Sequence, residues 1–302
     1  MNFAVSGYRS AILVMGAVTL TTSGPMFAKN TPELPLKRQG AWTMDYADNA
    51  CHLSASFGKG DSAVTARFTQ VAPQDSIRLT LIGARFASSL DLISRAQFAF
   101  VPASAKPDWF QITNGTFPQS GVAVPAVFLN SIRLDNLRKS GQGVSDLPSV
   151  SIDTENAVNG LSVRVWNAKP FMLDLVSMGP PMAAMRLCTD DLVRSWGYDP
   201  DEIATRQARA KPTRSPAMWA NASEYPVAML SKGTSAKVNF RLTINESGVV
   251  TDCDVLETTS PASIGPYTCD IIRKHASFKP SLNKDGQPAR DFYINSVFWQ
   301  MT

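Results

Sequence analysis

The chain has 302 residues, 44% of them hydrophobic and 18% charged, a balance that excludes wholesale disorder and leaves room for more than one domain. The formal net charge of +4 is not gathered into a run of Lys and Arg, so a nucleic-acid groove is excluded and the basicity reads as a solubility property. With two histidines and four cysteines, and no C-x-x-C pair, there is little material for a metal cluster, and neither metal nor cofactor is expected.

At the N-terminus a single charge, Arg9, precedes an apolar run from Ala11 to Leu20 and a small-residue stretch ending in Met26-Phe27-Ala28. The run is too short to span a bilayer comfortably and fits a secretory signal, residues 1–28, cleaved after Ala28. Export to the periplasm follows. The alternative is an uncleaved anchor in the inner membrane, the one case in which membrane contact is expected. The four cysteines suit an oxidising compartment.

A short polar lead with two prolines, Asn30 to Gln39, gives way to a β-rich region near Trp42. Strands are expected at Val64–Val71, Ser76–Ile82, Ala96–Val101, Trp109–Thr113, Pro125–Leu129, Leu161–Trp166 and Phe171–Val176, with turns at Pro73-Gln74-Asp75 and Asn114-Gly115. Arg138–Val144 reads as an exposed loop. Short strands at this spacing predict an antiparallel sandwich or barrel over residues 41–198. One helix closes it: Pro180 and Pro181 suit a first turn, and Gly197 the position past the end. Met185, Cys188, Leu192 and Trp196 form its apolar stripe. Four cysteines allow three connectivities, but a core-facing Cys188 is expected to meet Cys51 on the first strand.

From residue 199 to 223 the chain turns polar and carries Pro200, Pro212 and Pro216, the signature of an interdomain linker. Residues 224–302 follow a β-β-α-β order. Val238, Phe240, Leu242 and Ile244 alternate on the first strand, Gly248 closes a turn, and Val249, Thr251, Cys253 and Val255 share one face of the second. A helix begins near Pro266, with Lys274 and His275 at its C-terminal end, where the helix dipole favours cations. A turn, "NKDGQPAR", leads to a last strand, "DFYINSVFWQ". Cys269 on the helix is expected to bridge Cys253, closing a short loop for about 3 kcal/mol in the chain-entropy estimate.

Tyr225-Pro226, Gly233, Gly248, Thr258–Ser260, Phe278-Lys279-Pro280 and Gly286-Gln287-Pro288, in this order, resemble the C-terminal domain of TonB-family proteins. Phe278, Pro280, Gly286 and Pro288 are the turn residues of that pattern. The resemblance implies a periplasmic module whose sheet edge accepts an extended peptide from an outer-membrane receptor by strand addition, a mode that needs an open edge. The edge it implies is the last strand, with Phe292, Tyr293, Ile294, Asn295, Val297 and Trp299; the same edge could pair two copies into a homodimer. Energy-transducing TonB proteins resemble one another in an N-terminal membrane helix and a long proline-rich spacer. Neither pattern stands here, so binding is the property carried over. The stretch from Trp42 to Asp61 looks like the β-rich region of exported bacterial proteins with TonB-like C-termini.

No catalytic residue is identified. Ser281 and Lys284 match S-x-x-K, but the S-D-N and K-T-G partners of that chemistry are absent from the sequence. Gly58-Lys59-Gly60-Asp61 reads as a hairpin loop rather than a phosphate cradle. Asp190-Asp191 and the pair Asp252 and Asp254 read as solvated carboxylates. Tyr293, Phe298 and Trp299 fit core packing and peptide contact equally. The sequence thus predicts an α+β protein: a β-rich, sandwich- or barrel-like domain with one closing helix, then a small TonB-like domain. The expected function is binding of an envelope partner, not catalysis. The alternatives are a periplasmic enzyme or ligand-binding protein with its site in the β-rich domain, and an anchored energy transducer.

Overall fold

Inward residues alternate along the strands of the N-terminal half: Cys51, Leu53, Ala55 and Phe57 are buried on one strand, Ile77, Leu79 and Leu81 on another. In the computed structural model the described residues are 34–89, 95–103, 109–137, 147–166, 169–231, 235–258 and 261–299. The expected signal segment 1–28, the loop 138–144, Gly233 and Ser260 lie outside them.

The strands are β1 (Leu36–Ala47), β2 (Ala50–Phe57), β3 (Val64–Gln70), β4 (Ile77–Ile82), β5 (Arg95–Val101), β6 (Phe110–Gln111), β7 (Thr113–Gln119) and β8 (Val122–Ile132). After a short helix, α1 (Ile152–Ala157), come β9 (Gly160–Val165) and β10 (Phe171–Asp174). Among the described residues these ten strands pair in the order β6-β5-β9-β10-β1-β2-β3-β4-β8-β7. The two ends of that order, β6 and β7, are separated in the chain only by Ile112, so the sheet curls back toward itself. β1 makes the opposite corner. Its start pairs β10 in parallel, its remainder pairs β2 antiparallel, and a register shift after Gln39 with Gly40 at φ +76° bends it between the two.

The interior is filled by Phe57, Phe68, Phe86, Phe100, Leu161 and Leu173, with Trp42 edge-on to Phe57 and Phe68. Helix α2 (Gly179–Ser195) lays Met182, Met185, Cys188 and Leu192 on this core, and Cys188 is bonded to Cys51. The sandwich- or barrel-like expectation, the closing helix and its disulfide all hold. Three local expectations do not. Cys51, expected on the first strand, lies on β2, because β1 already forms from Leu36 within the expected polar lead. Asn114-Gly115 is not a turn but lies inside β7, paired with Val127 and Ala126. The strand expected at Trp109–Thr113 is the two-residue β6, with β7 beginning at Thr113.

The segment expected as a polar linker is folded. Asp199 caps α3 (Pro200–Ala204), accepting from the Asp201 N–H, and β11 (Lys211–Pro212) pairs β14 (Phe278–Lys279). Ile203, Ala210 and Trp219 are buried there, three apolar residues that a polar average hides. Another short helix, α4 (Val227–Leu230), leads into a three-stranded sheet of β12 (Ala236–Ile244), β13 (Val250–Thr258) and β17 (Asp291–Trp299), ordered β13-β12-β17. Helix α5 (Ile264–His275) covers one face, and β15 (Ser281–Leu282) with β16 (Pro288–Ala289) forms a small hairpin before β17. The β-β-α-β order and the Cys253–Cys269 disulfide are as expected.

The first hairpin strand buries Val238, Phe240, Leu242 and Ile244 as predicted. On the second a register shift between Thr243 and Ile244 corrects the pattern: Val250 turns to the core and Val249 is 56% exposed, while Cys253 and Val255 stay inward. No helix among the described residues is long and apolar enough to cross a membrane.

Candidate functional site

Strand β17 pairs with β12 over its whole length, from Asp291 opposite Ile244 to Trp299 opposite Ala236. Among the described residues its other side carries no strand. The alternation of "DFYINSVFW" sorts its side chains. Asp291, Tyr293, Asn295, Val297 and Trp299 face α5, and Phe292, Ile294, Ser296 and Phe298 face away.

The α5 face is locked. Tyr293 packs on Phe278 and Trp219, and its phenol pKa is raised by burial. The Trp299 indole N–H donates to Thr268 Oγ1 at 2.9 Å, and its ring meets Tyr225 edge-on at 5.7 Å. Val297 packs in the same layer. Of the aromatic trio, Tyr293 and Trp299 are core, while Phe298 is 60% exposed.

The ladder also sorts the backbone. Asn245 donates its N–H to Val249, so β12 turns the backbone of Thr243 toward β13 and that of Leu242 and Ile244 toward β17. The backbone groups of Phe292, Ile294, Ser296 and Phe298 therefore point out of the sheet at the open edge. The first is occupied: Arg209 donates to the Phe292 carbonyl at 3.3 Å, and the Phe292 N–H donates to Asp291 Oδ1 at 2.8 Å. The Ser296 N–H donates to the neighbouring Asn295 side chain at 2.8 Å. The accessible edge is the run from Ile294 to Phe298.

Asp291 anchors the start of this strand. Fully buried, it accepts from Arg209 Nε at 2.9 Å and the Ala210 N–H at 2.8 Å, and pairs with Arg206 at 3.2 Å. Arg206 is itself 3% exposed in its side chain and donates to Ser281 Oγ. A buried carboxylate is tolerated because each lone pair finds a cation or an N–H. Ser281, the first residue of the S-x-x-K match, is buried, and its hydroxyl donates to the Ala208 carbonyl. Sequence reasoning missed this cluster because Arg206 and Arg209 lie in the stretch 199–223, which reads as a polar linker; their period-three spacing was the available signal.

The opposite edge of the sheet is tied down. On β13, Glu257 pairs with Arg78 of β4 at 2.6 Å and accepts from Asn239 at 2.8 Å. Burial raises the Glu257 pKa, but Arg78, Asn239 and Lys237 together hold it below its usual range. Arg241 lies over the Trp196 ring at 4.4 Å and pairs with Asp254, so that carboxylate is not simply solvated. Beside this contact His52 donates to or accepts from Thr69 at 2.9 Å. Its pKa is lowered to about 4 by burial and by Arg67.

The turn residues have a mechanical reason. A Cβ on Gly248 would stand 2.1 Å from the Phe278 carbonyl oxygen, and Phe278 donates its N–H back to Gly248 at 3.1 Å. The hairpin turn thus seats on the Phe278–Pro280 segment. Gly286 takes φ +77° in the β15–β16 turn, with Pro288 opening β16.

Away from the edge, the described residues also form clefts. One, of about 400 Å³, is ringed by charged groups including Glu202, Arg206, Glu246 and Arg290. Another, of about 360 Å³, lies in the β-rich half between Gln70, Asp75, Glu155 and Arg186. There Glu155 is held by Arg186 at 2.6 Å, and Asp75 by Arg133 at 3.3 Å.

Residues 221–298 match the family model described as Gram-negative bacterial TonB protein C-terminal. The match spans roughly the last quarter of the chain and contains the hairpin, α5, the Phe278–Pro288 turns and nearly all of β17. No curated protein matches the chain. The C-terminal module is therefore similar to that of TonB, a type found in the cell envelope and not itself an enzyme class.

Proposed function

We propose that this is an exported periplasmic protein that binds an extended segment of an envelope partner by strand addition to β17, in the setting of TonB-dependent transport. The observation that carries the reading is the asymmetry of the three-stranded sheet. Its β13 edge is held by Arg78 and the Cys253–Cys269 bridge, while the β17 edge presents Ile294–Phe298 outward from a rigid backing. A preformed edge of this kind supplies main-chain hydrogen bonds at small ordering cost. Of the six residues expected on the edge, Phe292 and Ile294 lie on the face turned from α5, where Phe292 is buried against Trp196 and Tyr198. Tyr293, Asn295, Val297 and Trp299 act from beneath, by holding the strand straight. The partner we favour is an outer-membrane receptor; a second copy of this chain pairing edge to edge is the competing occupant. In this reading residues 41–198 and 224–302 are two functional domains, no catalytic step takes place, and residues 1–28 are removed on export.

The test is capture from envelope extract with the full chain. Outer-membrane receptors are expected with the natural sequence and at least tenfold less with Ile294→Pro, which removes an outward N–H. A photo-crosslinker at Ser296 is expected to label the receptor. Labelling of this chain alone would mean a homodimer, and no labelling would sink strand addition. A ligand-binding role for the cleft between Gln70, Asp75, Glu155 and Arg186 is the second reading, supported by converging polar groups over Ile77, Leu134 and Met182.

A further inference from the structure

A different corner of the molecule carries a surface that neither the disulfides nor the strand edge use. Along β5 and β9 the core face is apolar, with Ala96 opposite Val165 and Phe98 opposite Val163, all buried. The outward residues are of another kind. Arg95 and Arg164 are exposed, and Trp166, whose N–H donates to the Arg95 carbonyl, is 55% exposed. Trp109, just before β6, is 38% exposed and meets Trp166 edge-on at 5.5 Å. Lys169 is exposed a few residues along. Among the described residues none of these three cations enters an ion pair, although most of the arginines elsewhere do. Two partly exposed indoles thus stand in water beside three cations that have no ion-pair partner among the described residues.

We propose that this corner docks on an anionic lipid bilayer, with Arg95, Arg164 and Lys169 at the headgroups and Trp109 and Trp166 at the interface. Indoles favour the headgroup level, where an apolar ring and a polar N–H are both accommodated. Guanidinium and ammonium groups are drawn to the negative surface potential. The ring geometry selects this occupant over a glycan. The indole planes stand at 74° to each other and offer no shared flat platform for a sugar. The site depends on lipid charge, so it is independent of the strand-addition reading. It does not require the N-terminal segment.

Flotation of the full chain with phosphatidylethanolamine–phosphatidylglycerol vesicles, against phosphatidylcholine vesicles, tests the proposal. Each cation near the surface is worth about fivefold in partition, so Arg95→Gln with Arg164→Gln is expected to weaken binding to the anionic vesicles about 25-fold. Ser162→Glu, which places a negative charge on the same exposed face, is expected to weaken it too, whereas Lys284→Gln is not. Bromine-labelled lipid is expected to quench tryptophan emission, and Trp109→Phe with Trp166→Phe to remove that quenching while the circular dichroism stays unchanged. This local readout separates the corner from any lipid affinity of the N-terminus. Partition indifferent to lipid charge, quenching that survives the double Trp variant, or binding to peptidoglycan sacculi in place of vesicles would each overturn it.

Discussion

Gly248 and His52 show how single positions bear on the whole. Gly248 combines φ +79° with a Cβ direction that ends 2.1 Å from a backbone oxygen of Phe278. Gly121 has nearly the same φ, +80°, and open space around it. The pair separates conformational strain from collision. Gly121→Ala is expected to cost about 1 kcal/mol in urea unfolding, and Gly248→Ala about 2–4 kcal/mol, because the Phe278 strand must also move. Equal losses would refute the seating of the turn on Phe278. His52 bears on pH dependence. Its pKa falls to about 4 in the folded protein through burial and Arg67, against 6.5 in the unfolded chain. The unfolded state therefore binds the extra proton first, and stability falls as pH drops from 6.5 toward 4, levelling below that. Partial exposure screens the effect, leaving about 1–2 kcal/mol over the window. Unfolding series at several pH values should show that slope, and His52→Gln should flatten it.

At the scale of elements, α2 is joined to β2 through Cys51 and Cys188, 137 residues apart, and α5 to β13 through Cys253 and Cys269, 16 apart. The chain-entropy estimate is about 5 kcal/mol for the long loop and about 3 for the short one. Double Cys→Ala replacement of Cys51 and Cys188 should thus lower stability more than the same change at Cys253 and Cys269, by thermal or urea unfolding. The reverse order would mean that the closing helix is held by Met182, Met185 and Leu192 alone. Both pairings were legible before the structure, because each follows from which face of a helix a cysteine occupies. The strand alternation of Val238–Ile244 was legible for the same reason. What failed was whatever depends on pairing. The bulge that exposes Val249 and the sheet-switching bend at Gly40 are set by partner strands distant in sequence. So is the inclusion of Asn114-Gly115 in β7: locally it is a turn signal, but Val127 and Ala126 offer it a ladder. The open edge was legible in part. Its strand was found, but the Arg209 contact that shortens it to Ile294–Phe298 joins residues 83 apart.

Across the whole molecule, the segment 199–223 behaves as mortar between the β-rich sheet and the TonB-like one. Ala72, Val193, Tyr198, Ile203 and Phe292 form one buried cluster drawn from both halves and the segment between them, with Trp196 and Ile294 at its margin. Tyr198 donates its hydroxyl to the Asp291 carbonyl, and Phe292 meets both Trp196 and Tyr198 at 5.2 Å. The described residues fall in one compact unit. Neighbouring domains move relative to one another unless the contact between them is large and hydrophobic, and here the aromatic contact is reinforced by Arg241 over Trp196 and by Arg78 with Glu257. The exposed ion pair contributes at most about 1 kcal/mol, so the aromatic cluster decides the coupling. The two proposed domains are then expected to unfold as one: the near-ultraviolet and far-ultraviolet transitions should coincide in the natural chain. Trp196→Ala removes the ring between Arg241 and Phe292, at a cost of about 3 kcal/mol, and should split the transition in two. A natural chain that already melts in two steps would show that the β17 edge is free to reorient on the β-rich half. Coincidence would mean that a strand added at Ile294–Phe298 pulls directly on the sheet bearing Arg78.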